Sequence, residues 1–509
     1  MYRRKDANQL ELEGFITPFG KISATNRWVK QAELMPWDYI EEQYSKNFSE
    51  SSGSPAINAR IAFGAIYISQ KVKLTDREVV EYIIENPYTQ YFLGLSEYVD
   101  TPLFDASMMV HFRKRFPSEV INEINLRMHG EAAGMKGQSP PPKEDSESPD
   151  TDPPPPKTAY ETATDEAFEE TEAPEAPEAV DTLPNKGKLL LDATCAEADI
   201  RYPSDLSLLN EARENLEEMI DELWPLTKRK GHKTAYSRKK ARKGFLCIIK
   251  QKQPRNAKLR KELRYQLSCV EKSITTISNI LMQVGLEALL EKRITRLLII
   301  CQLHRQQAKM YRDKNRNCED RIVSLRQPHI RPIARNKSGK KFEFGQKIST
   351  SVVNGYTFIE RQSYDPFNEG ITLQESVERY RQRFGYYPEA VQADKLYRNR
   401  SNLQYCKRHG IRLSGPPLGR PRKKDTDHWR KLAYQDNCER NTIEGRYGIA
   451  KRRYGMARVL SYLPETGKTQ VALQILCMNM DVRLRLVASF IFSFFKCWIY
   501  RAFRKFAVV

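Results

Sequence analysis

The sequence predicts an α/β protein: an all-helical N-terminal domain over 1–135, then a mixed-sheet domain over 186–480 interrupted by a basic helical insertion at about 206–325. Three observations predict it. Apolar residues recur at helical spacing from Ser54 to Leu95. An apolar run, Leu189-Leu190-Leu191, ends abruptly on Asp192 in the manner of a buried strand. Asn354-Gly355 separates two alternating apolar runs, which is the strongest short-range hairpin signal.

In the first domain, Thr75 followed three residues later by Glu78 predicts a capping box before VVEYII. A second helix start falls near Asp105, leading into SMMVHFRKRF. Short helices with basic ends suit a DNA-binding module, although no recognition helix stands out from an ordinary helical core. Residues 136–185 change character. They are rich in Pro, Glu, Asp, Ser and Thr, and cannot bury enough apolar area to offset chain entropy, so a disordered acidic linker is expected.

KLLLDATCAEADIRY reads as a strand, a turn and a second strand. The helical insertion follows, dense in Lys and Arg. From about 342 the pattern returns to strands around the Asn354-Gly355 turn. A helix in LQESVERYRQRFG, a strand in EAVQAD and a helix carrying NTIEGRYGIAKRRYG complete a sheet with mixed strand directions. A terminal apolar and basic helix is expected over 481–509. Its apolar run, Val487 to Phe495, is shorter than the roughly 20 residues a bilayer span needs, so no membrane partner is expected.

The chain has 509 residues and a net charge of +20, and the acidic stretch Glu144–Asp181 makes the remainder more basic still. That balance favours a polyanionic partner, nucleic acid before membrane. Nine cysteines without a C-x-x-C pair give neither zinc-ligand spacing nor a disulfide framework, and point to a reducing, cytoplasmic compartment.

Asp192 and Asp394 both follow apolar strand residues. A carboxylate leaving a buried strand is costly unless it meets a cleft, a cation or a partner, though a strand-end Asp that merely starts a turn is common. The helix near the C-terminus carries Arg440, Glu444 and Lys451 at steps of four and seven, near one face. A solvated, ion-paired face would have the same spacing. The surrounding Arg446, Tyr447, Arg452, Arg453, Tyr454 and Arg458 suit a phosphate-lined groove better. Glu439 competes with Glu444 but faces another direction. Glu197 and Asp199 lie close to Asp192 as alternatives or outer ligands, and Cys195 reads as core packing.

Four stretches resemble the DDE transposases of bacterial insertion sequences, which have an RNase H-like catalytic domain: SPAINARIAFGAIYISQ, LLLDATCAEADIRYPSDLSLLNEARE, EAVQADKLYRNRSNLQYCKRHGIRLSGPPLGRP and ERNTIEGRYGIAKRRYGMARV. The family's C-terminal signature is Tyr, two residues, Arg, three residues, Glu, six residues, Lys. Arg440, Glu444 and Lys451 match it, and Asn437 stands where its Tyr would be. The resemblance implies that Asp192, Asp394 and Glu444 are the catalytic carboxylates and hold two Mg²⁺ ions, with Mn²⁺ as a substitute. It implies strand cleavage at transposon ends and transfer into target DNA. Expected partners are double-stranded DNA, as terminal repeats and as target, and further copies of the chain assembled on it, in a bacterial cytoplasm at the nucleoid. Arg440, Lys451, Arg452, Arg453 and Arg420, the last in the loop Gly415–Lys424, are the expected DNA contacts. The insertion accounts for the 202 residues between the first two carboxylates. Two alternatives stay open: a nuclease of the same fold that cuts without joining, and an inactive DNA-binding relic or repressor.

Overall fold

A mixed sheet lies at the centre of the chain, and its middle strand carries Asp192. The computed structural model describes residues 15–49, 55–133, 184–227, 231–315, 317–337, 340–415 and 426–506. The linker expected over 136–185 lies almost wholly outside the described residues, as does Arg420.

The N-terminal helices are α1 (Arg27–Leu34), α2 (Trp37–Ser45), α3 (Ala59–Val72), α4 (Asp76–Glu85), α5 (Pro87–Phe92), α6 (Met108–Arg115) and α7 (Ser118–Ala133). The Thr75–Glu78 capping box starts α4 with both of its reciprocal hydrogen bonds. Strand β1 (Lys188–Glu197) follows. Then come α8 (Asp205–Leu223), α9 (Arg238–Ile249), α10 (Asn256–Val284) and α11 (Glu291–Asp313); α8, α10 and α11 share their own apolar core, and α9 packs in a smaller cluster beside it.

The sheet resumes with β2 (Arg331–Lys337), β3 (Lys340–Val353) and β4 (Tyr356–Ser363). Asn354 and Gly355 take φ of 48° and 82°, the two left-handed positions that a primed hairpin turn demands. Next are α12 (Leu373–Phe384), β5 (Ala390–Gln392), α13 (Arg400–Arg408), β6 (Arg412–Leu413), α14 (Thr426–Arg453) and α15 (Pro464–Phe506). The strand order is β2-β3-β1-β5-β6, with β4 paired to β3. β1 runs antiparallel to β3 and parallel to β5, and β5 runs parallel to β6. This is the mixed sheet that the sequence predicts, in an RNase H-like domain.

One detail differs. The turn and second strand expected in KLLLDATCAEADIRY do not form: β1 runs unbroken from Lys188 to Glu197, so Asp192 lies within the strand rather than at its end. Ala198 makes a single bridge to Val459, and the Asp199 amide donates to the Val459 carbonyl before the chain turns away. Val459 lies far along the sequence, so the local pattern has no access to this pairing.

Side chains alternate across a strand. Leu189 and Leu191 of β1 pack with Val391 and Ala393 in a core under α12 and α13. Leu190 and Ala196 face the opposite core, which contains Ile443, Tyr447 and Ala450 of α14. That second core is continuous with the N-terminal helices through α15, and it includes Phe63, Ile66, Val471 and Leu476. Lys71 of α3 and Asp481 of α15 close the junction at 2.5 Å. α15 is unbroken through residue 480, where the sequence reading places a domain boundary.

Candidate active site

Strands β1 and β5 run side by side toward the region of the first two carboxylates. β1 and β5 pair Lys188 with Ala390, Leu189 with Val391 and Leu190 with Gln392. That ladder ends at Leu190–Gln392; Asp192 continues within β1, and Asp394 lies two residues past the end of β5. Leu190 and Ala196 share Asp192's side of β1, and Gln392, two residues before Asp394, points to α14 and donates to Asp436 at 3.1 Å. Asp394 caps the turn Lys395–Tyr397, its carboxylate accepting from the Lys395 amide at 2.6 Å.

α14 crosses that face. Its stripe Ile443, Tyr447, Ala450 and Tyr454 is buried against the sheet. This leaves Glu444 exposed, one residue off the buried stripe. Its carboxylate pairs with Arg440 one turn earlier, at 3.3 Å. Asp192 is within electrostatic reach of both. Burial pushes its carboxyl up to about 6, Glu369 and Glu444 push the same way, and the Ala193 amide and Arg440 oppose them. Among the described residues, no group of three or more His, Cys, Asp or Glu side chains stands close enough to hold a metal ion. Asp192 and Glu444 thus lie within electrostatic reach of one another, and the three carboxylates do not form a closed ligand set.

The competing acids have other work. Glu439 accepts from Lys188 at 2.7 and 2.8 Å and from Gln392, so it ties α14 to β1 and β5. Asp199 is paired with Arg458 at 2.8 Å. Glu197 ends β1 opposite Gly345. Burial pushes the Cys195 thiol up to about 12, which keeps it protonated and suits core packing.

Among the expected DNA contacts, Arg452 is exposed, and Arg453 is exposed while pairing with Asp481 at 3.5 Å. Lys451 lies within electrostatic reach of Cys195. Arg446 is different: burial lowers its pKa, with Arg485 adding to the effect, and its guanidinium sits near Gly355 at the hairpin turn.

Two residues near the site carry no sequence signal as such. Glu369, in the short turn Glu369–Thr372, pairs with Lys347 at 3.0 Å and raises the pKa of Asp192. Tyr447 places its hydroxyl 2.8 Å from that of Thr350, the residue opposite Asp192. The position of Tyr447, three residues after Glu444, was the one available clue.

Residues 391–481 match the family described as the transposase DDE domain, and residues 18–115 match a second transposase domain. The chain thus carries two transposase domains, one of them of the DDE type, as a bacterial insertion-sequence transposase does. The first match contains Asp394, Arg440, Glu444 and Lys451. The second spans α1 to α6 of the transposase. Asp192 lies outside both, and its electrostatic reach to Arg440 and Glu444 is what associates it with α14. Over 120 residues the transposase is 33% identical to an uncharacterized protein, ORF8 in the nfe locus of Rhizobium meliloti, a match covering 24% of this chain and 57% of that protein. The chain thus spans little more than half the length of that relative. No solved structure matches the transposase.

Proposed function

We propose that this transposase cuts DNA at the ends of its element and joins the freed 3′-hydroxyl to target DNA, using Asp192, Asp394 and Glu444. The observation that supports the reading is the electrostatic reach of Asp192, on the central strand, to Glu444 and Arg440 of α14, with Asp394 just past the end of the neighbouring strand. An all-oxygen donor set suits a hard divalent cation. A pair of Mg²⁺ ions, or Mn²⁺ in their place, supplies Lewis-acid stabilisation of the attacking and leaving oxygens. In this reading Asp192 contributes to both ion positions, Asp394 to one and Glu444 to the other.

Glu444 reaches that role by leaving Arg440, whose guanidinium then turns to a DNA phosphate. Arg452, Arg453 and Lys451 extend a basic edge beyond the carboxylates, and Arg420 is proposed to add a contact from its loop. Phosphate contacts of this kind supply most of the affinity for DNA and position the duplex. Double-stranded DNA, both terminal repeats and target, is the proposed partner, bound by more than one copy of the chain. Among the described residues no helix is long and apolar enough to cross a membrane. The cytoplasm, at the nucleoid, is the proposed location.

The test uses precleaved ends carrying a free 3′-hydroxyl, incubated with target plasmid and Mg²⁺. Joined products are expected. Hydrolysis without joining would make the chain a nuclease of the same fold. Binding with neither reaction would make it a DNA-binding relic.

A further inference from the structure

The insertion carries a second charged surface that the carboxylate site does not use. α9 buries Ala241, Phe245 and Ile248, and Phe245 and Ile248 pack in one cluster with Leu206, Leu259 and Leu263. Its opposite face lies open as a shallow groove lined by Lys239, Arg242, Lys243, Leu246, Cys247 and Lys250. From Lys239 to Lys261 the sequence has ten Lys or Arg and no Asp or Glu. The next acid, Glu262, sits under Gly244 and accepts from Gln266 at 2.8 Å.

Several cations elsewhere in the insertion are paired. Arg213 meets Glu217 at 2.5 Å, Lys233 and Arg238 meet Asp221 at 2.9 and 2.6 Å, and Arg321 meets Asp205 at 2.7 Å. Lys239, Arg242, Lys243 and Lys250, with Lys258 and Lys261 beyond them, are exposed and form no ion pair with any described carboxylate. Concentrating uncompensated charge on one face is unfavourable by self-repulsion, and a polyanion relieves it.

We infer that the outer face of α9 binds the phosphate backbone of duplex DNA, independently of sequence and apart from the carboxylate site. The choice of duplex DNA rests on the transposase reading above. At about 1.5 Å per residue the helix face extends some 18 Å. Duplex DNA carries a charge about every 1.7 Å of its axis, so a face of that length meets several phosphates. Lys and Arg with no acid between them suit contacts that position a duplex rather than read it.

The experiment measures DNA affinity across salt concentrations, by fluorescence anisotropy of a random-sequence duplex. The full chain carries Asp192→Asn to prevent cleavage, with or without Lys239→Gln, Arg242→Gln, Lys243→Gln and Lys250→Gln. The slope of log K against log salt should fall by roughly 3 to 4, at about 0.9 per phosphate contact. Affinity should fall on the order of tenfold or more for every sequence tried. An unchanged slope overturns the inference. So does an equal fall in a control with Lys272→Gln, Lys292→Gln, Arg305→Gln and Lys309→Gln on α10 and α11, because net charge alone would then explain binding. If the four-site variant does not fold, Lys239→Gln with Lys243→Gln carries the same test, with a fall of roughly 2. A wild-type chain that never cleaves DNA would sink the proposed chemistry and leave this measurement intact.

Discussion

The hydroxyls of Tyr447 and Thr350 lie 2.8 Å apart, both buried, and they fasten α14 to β3. Thr350 is the cross-strand neighbour of Asp192. The pKa of Tyr447 is raised well above its ordinary value, by burial first and then by the charge of Asp192. This pair therefore sets how the Glu444 helix sits over the first carboxylate.

Tyr447→Phe leaves the Thr350 hydroxyl buried without that partner, at a cost of about 1–3 kcal/mol. It should lower the Tm and also slow cleavage, since a small displacement of a reacting group costs rate steeply. A variant with lower Tm and unaltered cleavage would mean that the hydrogen bond only stabilises the fold.

Glu439 and Glu444 should separate cleanly. Glu439 holds Lys188, Gln392 and Gln435, and these contacts keep its carboxyl below its ordinary range, with Lys188 the leading cause. Glu439→Gln should cost roughly 1 kcal/mol of stability and keep cleavage within a few-fold. Glu444→Gln should abolish cleavage and leave denaturant midpoints almost unmoved, because its side chain is exposed. Cleavage assays and urea titrations on the two variants check this, and the reverse pattern would exchange their roles.

His129 gives the fold a pH dependence. It is fully buried against Tyr356, and neither ring nitrogen has a hydrogen-bond partner among the described residues. Burial, with Arg483 adding to it, pushes its pKa down to about 3. In the unfolded chain a histidine takes up its proton near 6.5. Above that pH both states are neutral and His129 adds no dependence. As pH falls through 6.5 the unfolded state alone binds the proton, so stability drops by up to about 1.4 kcal/mol per unit until near pH 3. His129→Phe should flatten the stability profile between those limits in urea titrations. An identical slope in the variant would refute this.

Much of this was legible in the sequence because the signals are local. The Asn354-Gly355 turn, the Thr75 capping box and the four- and seven-residue steps around Glu444 each depend on neighbours a few positions away. What was not legible depends on distant partners. The strand expected in ADIRY is limited to one bridge by Val459. The common core of the N-terminal helices and the sheet depends on contacts such as Lys71 with Asp481. Glu369 comes near Asp192 only because its turn packs beside β3, through Lys347. The exposed Asn437 gives no structural sign of what the signature tyrosine would do in its place.

The most direct test of the carboxylate site is cleavage of labelled supercoiled and linear DNA by the wild type and by Asp192→Asn, with Mg²⁺, Mn²⁺ or chelator. The account predicts metal-dependent nicking by the wild type and none by the variant, at DNA affinities within a few-fold of each other. Equal behaviour of the two proteins would contradict it, and would return Asp192 to the role of an ordinary residue on a central strand.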